Sequence, residues 1–131
     1  MFLSCARSEG WNLPLIEAMA CGTPSIYSAC SGQMEFAKGK GLPVKIIGEK
    51  PTQNNTYSNF AQTNVKDSIS GNYYEPDFKD LARVMRDAFE NYTDHKKRAI
   101  EESKLIHRDF NWDKIAEIGR DTIQEFMDNY I

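Results

Sequence analysis

The first 47 residues of this chain repeatedly exchange a short apolar run for a short helix-like segment, and that alternation restricts the fold more than any other feature. Met1-Phe2-Leu3-Ser4-Cys5 is one such run. Pro14 near a first helical position and Gly22 just past an end bracket a helix over about residues 13–21. Pro24-Ser25-Ile26-Tyr27-Ser28 then reads as a second strand. A short helix near Gln33-Met34-Glu35-Phe36-Ala37 closes at Gly39, and Leu42-Pro43-Val44-Lys45-Ile46-Ile47 reads as a third strand. Strands alternating with short helices imply β-α-β units, so the expected class is α/β, with a parallel sheet of about three or four strands and flanking helices.

Beyond the third strand the character changes. Residues 49–70 are rich in Asn, Gln, Ser and Thr without periodicity, which marks an exposed polar insertion longer than ordinary connections. Gly71-Asn72-Tyr73-Tyr74-Glu75-Pro76 reads as a brief strand, and residues 77–131 as a helical C-terminal segment. In that segment Leu81, Val84, Met85, Ala88, Phe89 and Tyr92 keep helical spacing, and Ile100, Ser103, Ile106 and Phe110 continue a weaker stripe. A last helix opens at Trp112-Asp113 with Trp112, Ile115, Ala116, Ile123, Phe126 and Tyr130 on one face. Apolar stripes of this kind are expected in the core.

At 131 residues the chain fits one domain. Its net charge of -3 and the lack of a Lys/Arg-rich stripe argue against nucleic acid or an anionic membrane as partner. No apolar run reaches the roughly 20 residues that span a bilayer, and no basic, then apolar, leader opens the chain, so a cytoplasmic protein is expected. Cys5, Cys21 and Cys30 are odd in number and lack C-x-x-C spacing, and His95 and His107 are too far apart for a usual ligand pair, so no metal site is expected.

One charge stands out. Glu17 lies among Leu13, Leu15, Ile16, Ala18, Met19, Ala20 and Cys21, and an unpaired buried carboxylate costs several kcal/mol. It must sit on a solvated edge of the helix, meet a partner, or be hydrogen-bonded to a ligand. Glu9 and Gly10 follow the first strand, at the end of an open α/β sheet where ligands bind. Gly10 permits a close backbone approach or a positive φ, and the amides from Gly10 to Leu13 lead into a helix N-terminus that favours phosphate.

The 17 positions from Ser8 to Pro24, SEGWNLPLIEAMACGTP, resemble the E-x(7)-E motif of family 4 glycosyltransferases, retaining enzymes of the GT-B fold. The common family form is Ser-x-x-Glu-Gly-x-Gly-Leu-Pro, then Glu-Ala-Met-Ala-Cys-Gly-Thr-Pro. Asn12 stands where that form has its second glycine. Gly71-Asn72-Tyr73-Tyr74-Glu75-Pro76-Asp77 is similar to the family's Gly-x-x-x-x-Pro-x-Asp before a helix, and Phe110-Asn111-Trp112 to its Phe-Ser-Trp.

The resemblance implies that residues 1–131 are the C-terminal portion of a Rossmann-like, nucleotide-sugar-binding domain. It implies a donor site made by Glu9, Gly10, Trp11, Asn12, Leu13 and Glu17. Glu9 would be the catalytic carboxylate touching the transferred sugar, Glu17 would hold the ribose hydroxyls, and the intervening amides would meet sugar or phosphate oxygens. Two ribose hydroxyls donating to one carboxylate would compensate the apolar setting of Glu17. No cofactor or metal beyond the nucleotide-sugar donor is implied. A paired-carboxylate glycosidase is disfavoured, because one carboxylate is on a loop and the other more than a turn into a helix.

A complete enzyme of this type has two such domains and works in the cleft between them, so the chain is expected to be inactive alone and to lack its acceptor domain. In the full-length enzyme it could lie at a membrane surface. Arg7 is a candidate for the diphosphate, with a structural role the better expectation. The rival reading is a nucleotide-binding or assembly module that keeps the donor motif without catalysis. The first run, read as an interior strand of a parent sheet, and the stripe of the last helix together lead to the expectation of a homo-oligomer.

Overall fold

The computed structural model describes residues 1–51 and 71–130. Three short strands, β1 (Phe2–Ser4), β2 (Ser25–Ser28) and β3 (Leu42–Val44), form a parallel sheet in the order β1-β2-β3. Helix α1 (Leu13–Ala20) joins β1 to β2, and the single-turn α2 (Met34–Ala37) lies between β2 and β3. The class is therefore the mixed α/β one expected from the alternation.

α1 starts and stops where local chemistry dictates. Pro14 stands in its first turn, where its missing N–H costs nothing. Gly22 has φ 63°, the left-handed conformation that ends helices, and its amide donates to the Met19 carbonyl at 2.9 Å.

The two faces of the sheet carry separate cores. On one, Leu15 and Met19 of α1 pack with Tyr27, Phe36, Ala37 and Ile106. The Tyr27 hydroxyl donates to the Ala37 carbonyl at 2.7 Å, which satisfies the polar end of a fully buried ring. On the other, Ile26, Leu42 and Val44 meet Val84 and Ala88. Adjacent Ile26 and Tyr27 thus serve opposite faces, as strand geometry requires.

The expected third strand is two. After β3 the chain breaks at Lys45, and β4 (Ile46–Pro51) pairs antiparallel with β5 (Asn72–Pro76) in a sheet of its own. The cause lies far along the sequence. The Lys45 amide donates to Asp80 at 2.9 Å, and its carbonyl accepts from the Asp77 amide at 2.8 Å, so the opening turn of the next helix captures both groups. The polar insertion expected from residue 49 is corrected accordingly, since residues 49–51 belong to β4. Its remainder, 52–70, lies outside the described residues.

Three helices follow: α3 (Phe78–Glu90), α4 (Tyr92–Asp109) and α5 (Trp112–Tyr130). Asp77 caps α3, its side chain accepting from the amides of Lys79 and Asp80. α4 lies along α1, where Lys96 donates to the Gly22 carbonyl at 2.6 Å and His107 meets the Ala20 carbonyl at 3.0 Å. A Cβ on Gly22 would approach Ile100 at 3.3 Å.

All three core stripes need correction. Ile106 of the middle one is buried, but Ile100 is 44% exposed. Val84 and Ala88 are buried, but Met85, Phe89 and Tyr92 are exposed, because a sheet of three strands covers only one edge of α3. The α5 stripe is not core at all: no residue of that helix is buried, and Trp112 is 87% exposed.

Candidate functional site

The Glu9–Glu17 segment sits at the carboxyl end of β1, on the edge of the parallel sheet where open α/β folds bind ligands. Its turn is clasped by the corresponding loop after β2. The Gly32 amide donates to the Glu9 carbonyl at 3.2 Å, and a Cβ on Gly32 would fall 1.8 Å from the Gly10 carbonyl oxygen. Only a glycine lets these two backbones meet.

Glycine is not demanded at position 10 on the same grounds. Gly10 has no positive φ, and a Cβ there would meet nothing within 4 Å. The positive φ expected near Gly10 belongs instead to Asn12, with φ 66° and ψ 64°. Asparagine tolerates this region better than most side chains, so Asn12 keeps a glycine-type backbone.

The Asn12 side chain does not reach outward. It is buried and does not cap α1; its amide nitrogen donates to Ser4 Oγ at 2.8 Å and to Gln33 Oε1 at 2.6 Å. Gln33, wholly buried, donates in turn to the Ser28 carbonyl and to Ser28 Oγ, and the Ser28 hydroxyl donates to the Ala6 carbonyl. Sequence reasoning placed Gln33 in a short helix and missed this network. The available signal was an asparagine in a glycine-like place, which needs buried partners for its carboxamide.

Among the described residues, the amides of Gly10, Trp11, Asn12 and Leu13 donate to no protein acceptor. They are the free N–H groups of the turn entering α1. The Trp11 ring is fixed apart from them, 5.4 Å from Phe36 and 5.9 Å from Phe110 between centroids, while Phe36 and Phe110 are 6.2 Å apart. Leu13 is exposed.

Glu17 is exposed, on the side of α1 away from the buried Leu15 and Met19. The helix rise puts it about 6 Å along the axis from Leu13. Its carboxylate makes no hydrogen bond or ion pair among the described residues, so the solvated-edge reading of its environment is the correct one for the chain by itself. Glu9 is half-buried, its carbonyl engaged by Gly32.

Arg7 takes the structural role. Its guanidinium donates to Glu75 at 3.1 Å and lies over the Tyr73 ring at 5.2 Å, and its carbonyl accepts from the Tyr74 amide. Lys50 joins Glu75 at 3.3 Å. Burial alone would raise the Glu75 pKa, but the Lys50 hydrogen bond and the charges of Arg7 and Lys50 hold it below the ordinary carboxylate range.

A parallel α/β edge carrying two carboxylates around a turn of unengaged amides belongs to the class of sites suited to an anionic, hydroxyl-bearing ligand. The chain matches no known protein-family profile. Over 48 residues it is 42% identical to a protein of Acidianus filamentous virus 1 (isolate United States/Yellowstone) named "Putative glycosyltransferase ORF313". The match takes in 36% of this chain and 15% of that protein's length. No helix among the described residues is long and apolar enough to cross a membrane.

Proposed function

We propose that this chain is the donor-binding part of a glycosyltransferase, most simply a retaining enzyme of family 4 with the GT-B fold, using a nucleotide sugar. The observation that carries the reading is the set of amides from Gly10 to Leu13, without protein acceptors among the described residues, placed between Glu9 and Glu17 at the carboxyl edge of a parallel sheet. Support comes from the partial likeness to a glycosyltransferase-named viral protein.

In this reading the amides and the N-terminal dipole of α1 receive the diphosphate charge without a metal ion. Glu17, on the open side of α1, accepts from the two ribose hydroxyls. Glu9 faces the sugar, positions it and stabilises positive charge developing at the sugar carbon as the diphosphate departs. The acceptor is held by a second domain, and the chain alone binds donor without transferring it.

Calorimetry on the 131-residue chain tests this with UDP-glucose, GDP-mannose and the bare diphosphates UDP and GDP as probes. Glu17→Ala should weaken a diphosphate and its sugar conjugate alike, by roughly 10- to 100-fold, as expected for losing charge-assisted hydrogen bonds. Glu9→Ala should weaken only the sugar conjugate. If neither change alters either ligand, the motif does not bind donor. In an enzyme that pairs this segment with an acceptor domain, Glu17→Ala should raise donor KM and Glu9→Ala lower kcat, and activity should survive a metal chelator.

A further inference from the structure

We propose that Gln33 is a positioning residue of the donor site, acting through Asn12 to fix the turn whose amides face the ligand; this rests on the reading of that turn as the donor site.

Asn12 is both the left-handed residue of the turn and the residue immediately before α1. Its peptide groups are shared with Trp11 and Leu13, so the plane of its backbone sets where neighbouring amides point. A side chain with two torsions, gripped at its end, restrains that plane. The grip comes from two sides, since both N–H donors of the Asn12 amide are used, one by Ser4 at the end of β1 and one by Gln33.

Gln33 is suited to hold this position because it is itself held. It is 0% exposed, and its own amide donates twice to Ser28, the last residue of β2. The Ser28 hydroxyl returns to the Ala6 carbonyl, just beyond β1. The network therefore runs from the sheet to the turn and back to the sheet, and none of the buried side-chain polar atoms among the described residues lacks a partner. A partly satisfied version would be worse than none, because a buried carboxamide without its acceptor loses hydration and gains nothing.

The arrangement gives a specific double-substitution signature. Gln33→Leu strands one Asn12 donor and loosens the turn. Asn12→Gly keeps the positive φ and removes the group to be stranded. If Gln33 acts through Asn12, Gln33→Leu is damaging in the wild-type background and far milder in Asn12→Gly. If Gln33 merely fills space beside Ser28, the two backgrounds respond equally.

The experiment measures, for the four chains of this cycle, the thermal midpoint and the affinity for UDP-glucose and GDP-mannose, with ¹⁵N order parameters for residues 10–13. The expected result is a roughly tenfold affinity loss in Gln33→Leu with lowered order at residues 10–13, and little further change in either when Gln33→Leu is added to Asn12→Gly. Equal losses in both backgrounds overturn the proposal. If wild type binds neither probe, the donor-site reading fails, while the order parameters still decide whether Gln33 holds the turn through Asn12. Should Gln33→Leu fail to fold, the near-isosteric Gln33→Met with and without Asn12→Gly asks the same question, and additivity there likewise overturns the proposal.

Discussion

Replacing Gly32 by alanine tests how the two ligand-edge loops are joined. The new methyl would lie 1.8 Å from the Gly10 carbonyl oxygen, 2.8 Å from its carbon and 3.5 Å from the Glu9 oxygen. Ordinary carbon contacts need about 3.5 Å, so the loops must part by more than 1 Å, and the obstruction is backbone on both sides. Parting them breaks the 3.2 Å bond from the Gly32 amide to Glu9. Overpacking of this kind costs about 1–3 kcal/mol and the lost bond about 0.5–1.5 kcal/mol, giving roughly 2–4 kcal/mol together. For a chain of this size that is a fall in Tm of roughly 6 to 20 °C. Circular dichroism melts of Gly32→Ala and Gly10→Ala measure it side by side. Gly10→Ala meets open space without a positive φ, so it should melt at or slightly above wild type. A Gly32→Ala variant melting within a degree or two of wild type would refute the clasp.

Other outcomes follow from single contacts. Asp77→Ala removes the cap of α3 and should cost about 1 kcal/mol by denaturant titration, with Asp77→Ser recovering most of it. The Asp80 carboxyl is held below its ordinary 3.8, first by the Lys45 amide, against burial, with the Arg83 hydrogen bond and charge adding to the effect. Because the folded value is depressed, its stabilisation is present above 3.8 and lost as pH falls through the folded value; Asp80→Asn should flatten the acid limb of the Tm–pH curve. The uncovered face of α5 and the open edge of β1 should drive self-association of the isolated chain, and light scattering that gives a constant mass near 15.0 kDa across a wide concentration range would contradict this.

Local chemistry made much of this fold legible. Pro14 and Gly22 bracket α1, and the runs around Leu3, Ile26 and Val44 became the parallel strands, because each signal acts within a few residues. The break at Lys45 was illegible, since it depends on Asp77 and Asp80 reaching back across the chain. Periodicity identified α3 and α5 but not their burial: Phe89 and Trp112 keep helical spacing and still face outward, because spacing does not tell how wide a sheet lies beneath. At the site, the spacing of Glu9 and Glu17 could be read directly. The exchange of roles between Gly10 and Asn12, and the hold of Gln33 on the latter, required two loops to be brought together.

The Trp11–Phe36–Phe110 cluster also bears on the order of events in time. The turn that carries Trp11 leaves the ribosome well before α4 does, yet one wall of its aromatic setting is Phe110, the residue at which α4 ends. The backbone hydrogen bonds within α1 and the pairing of β1 with β2 join residues close in sequence, so they can form while the remainder is still being synthesised. The packing around the turn cannot be finished until α4 has been made and laid along α1. The earliest part of the motif to be translated is thus among the last to be completed, and a nascent chain stalled before α4 would display the two glutamates on a turn whose aromatic support had not yet arrived.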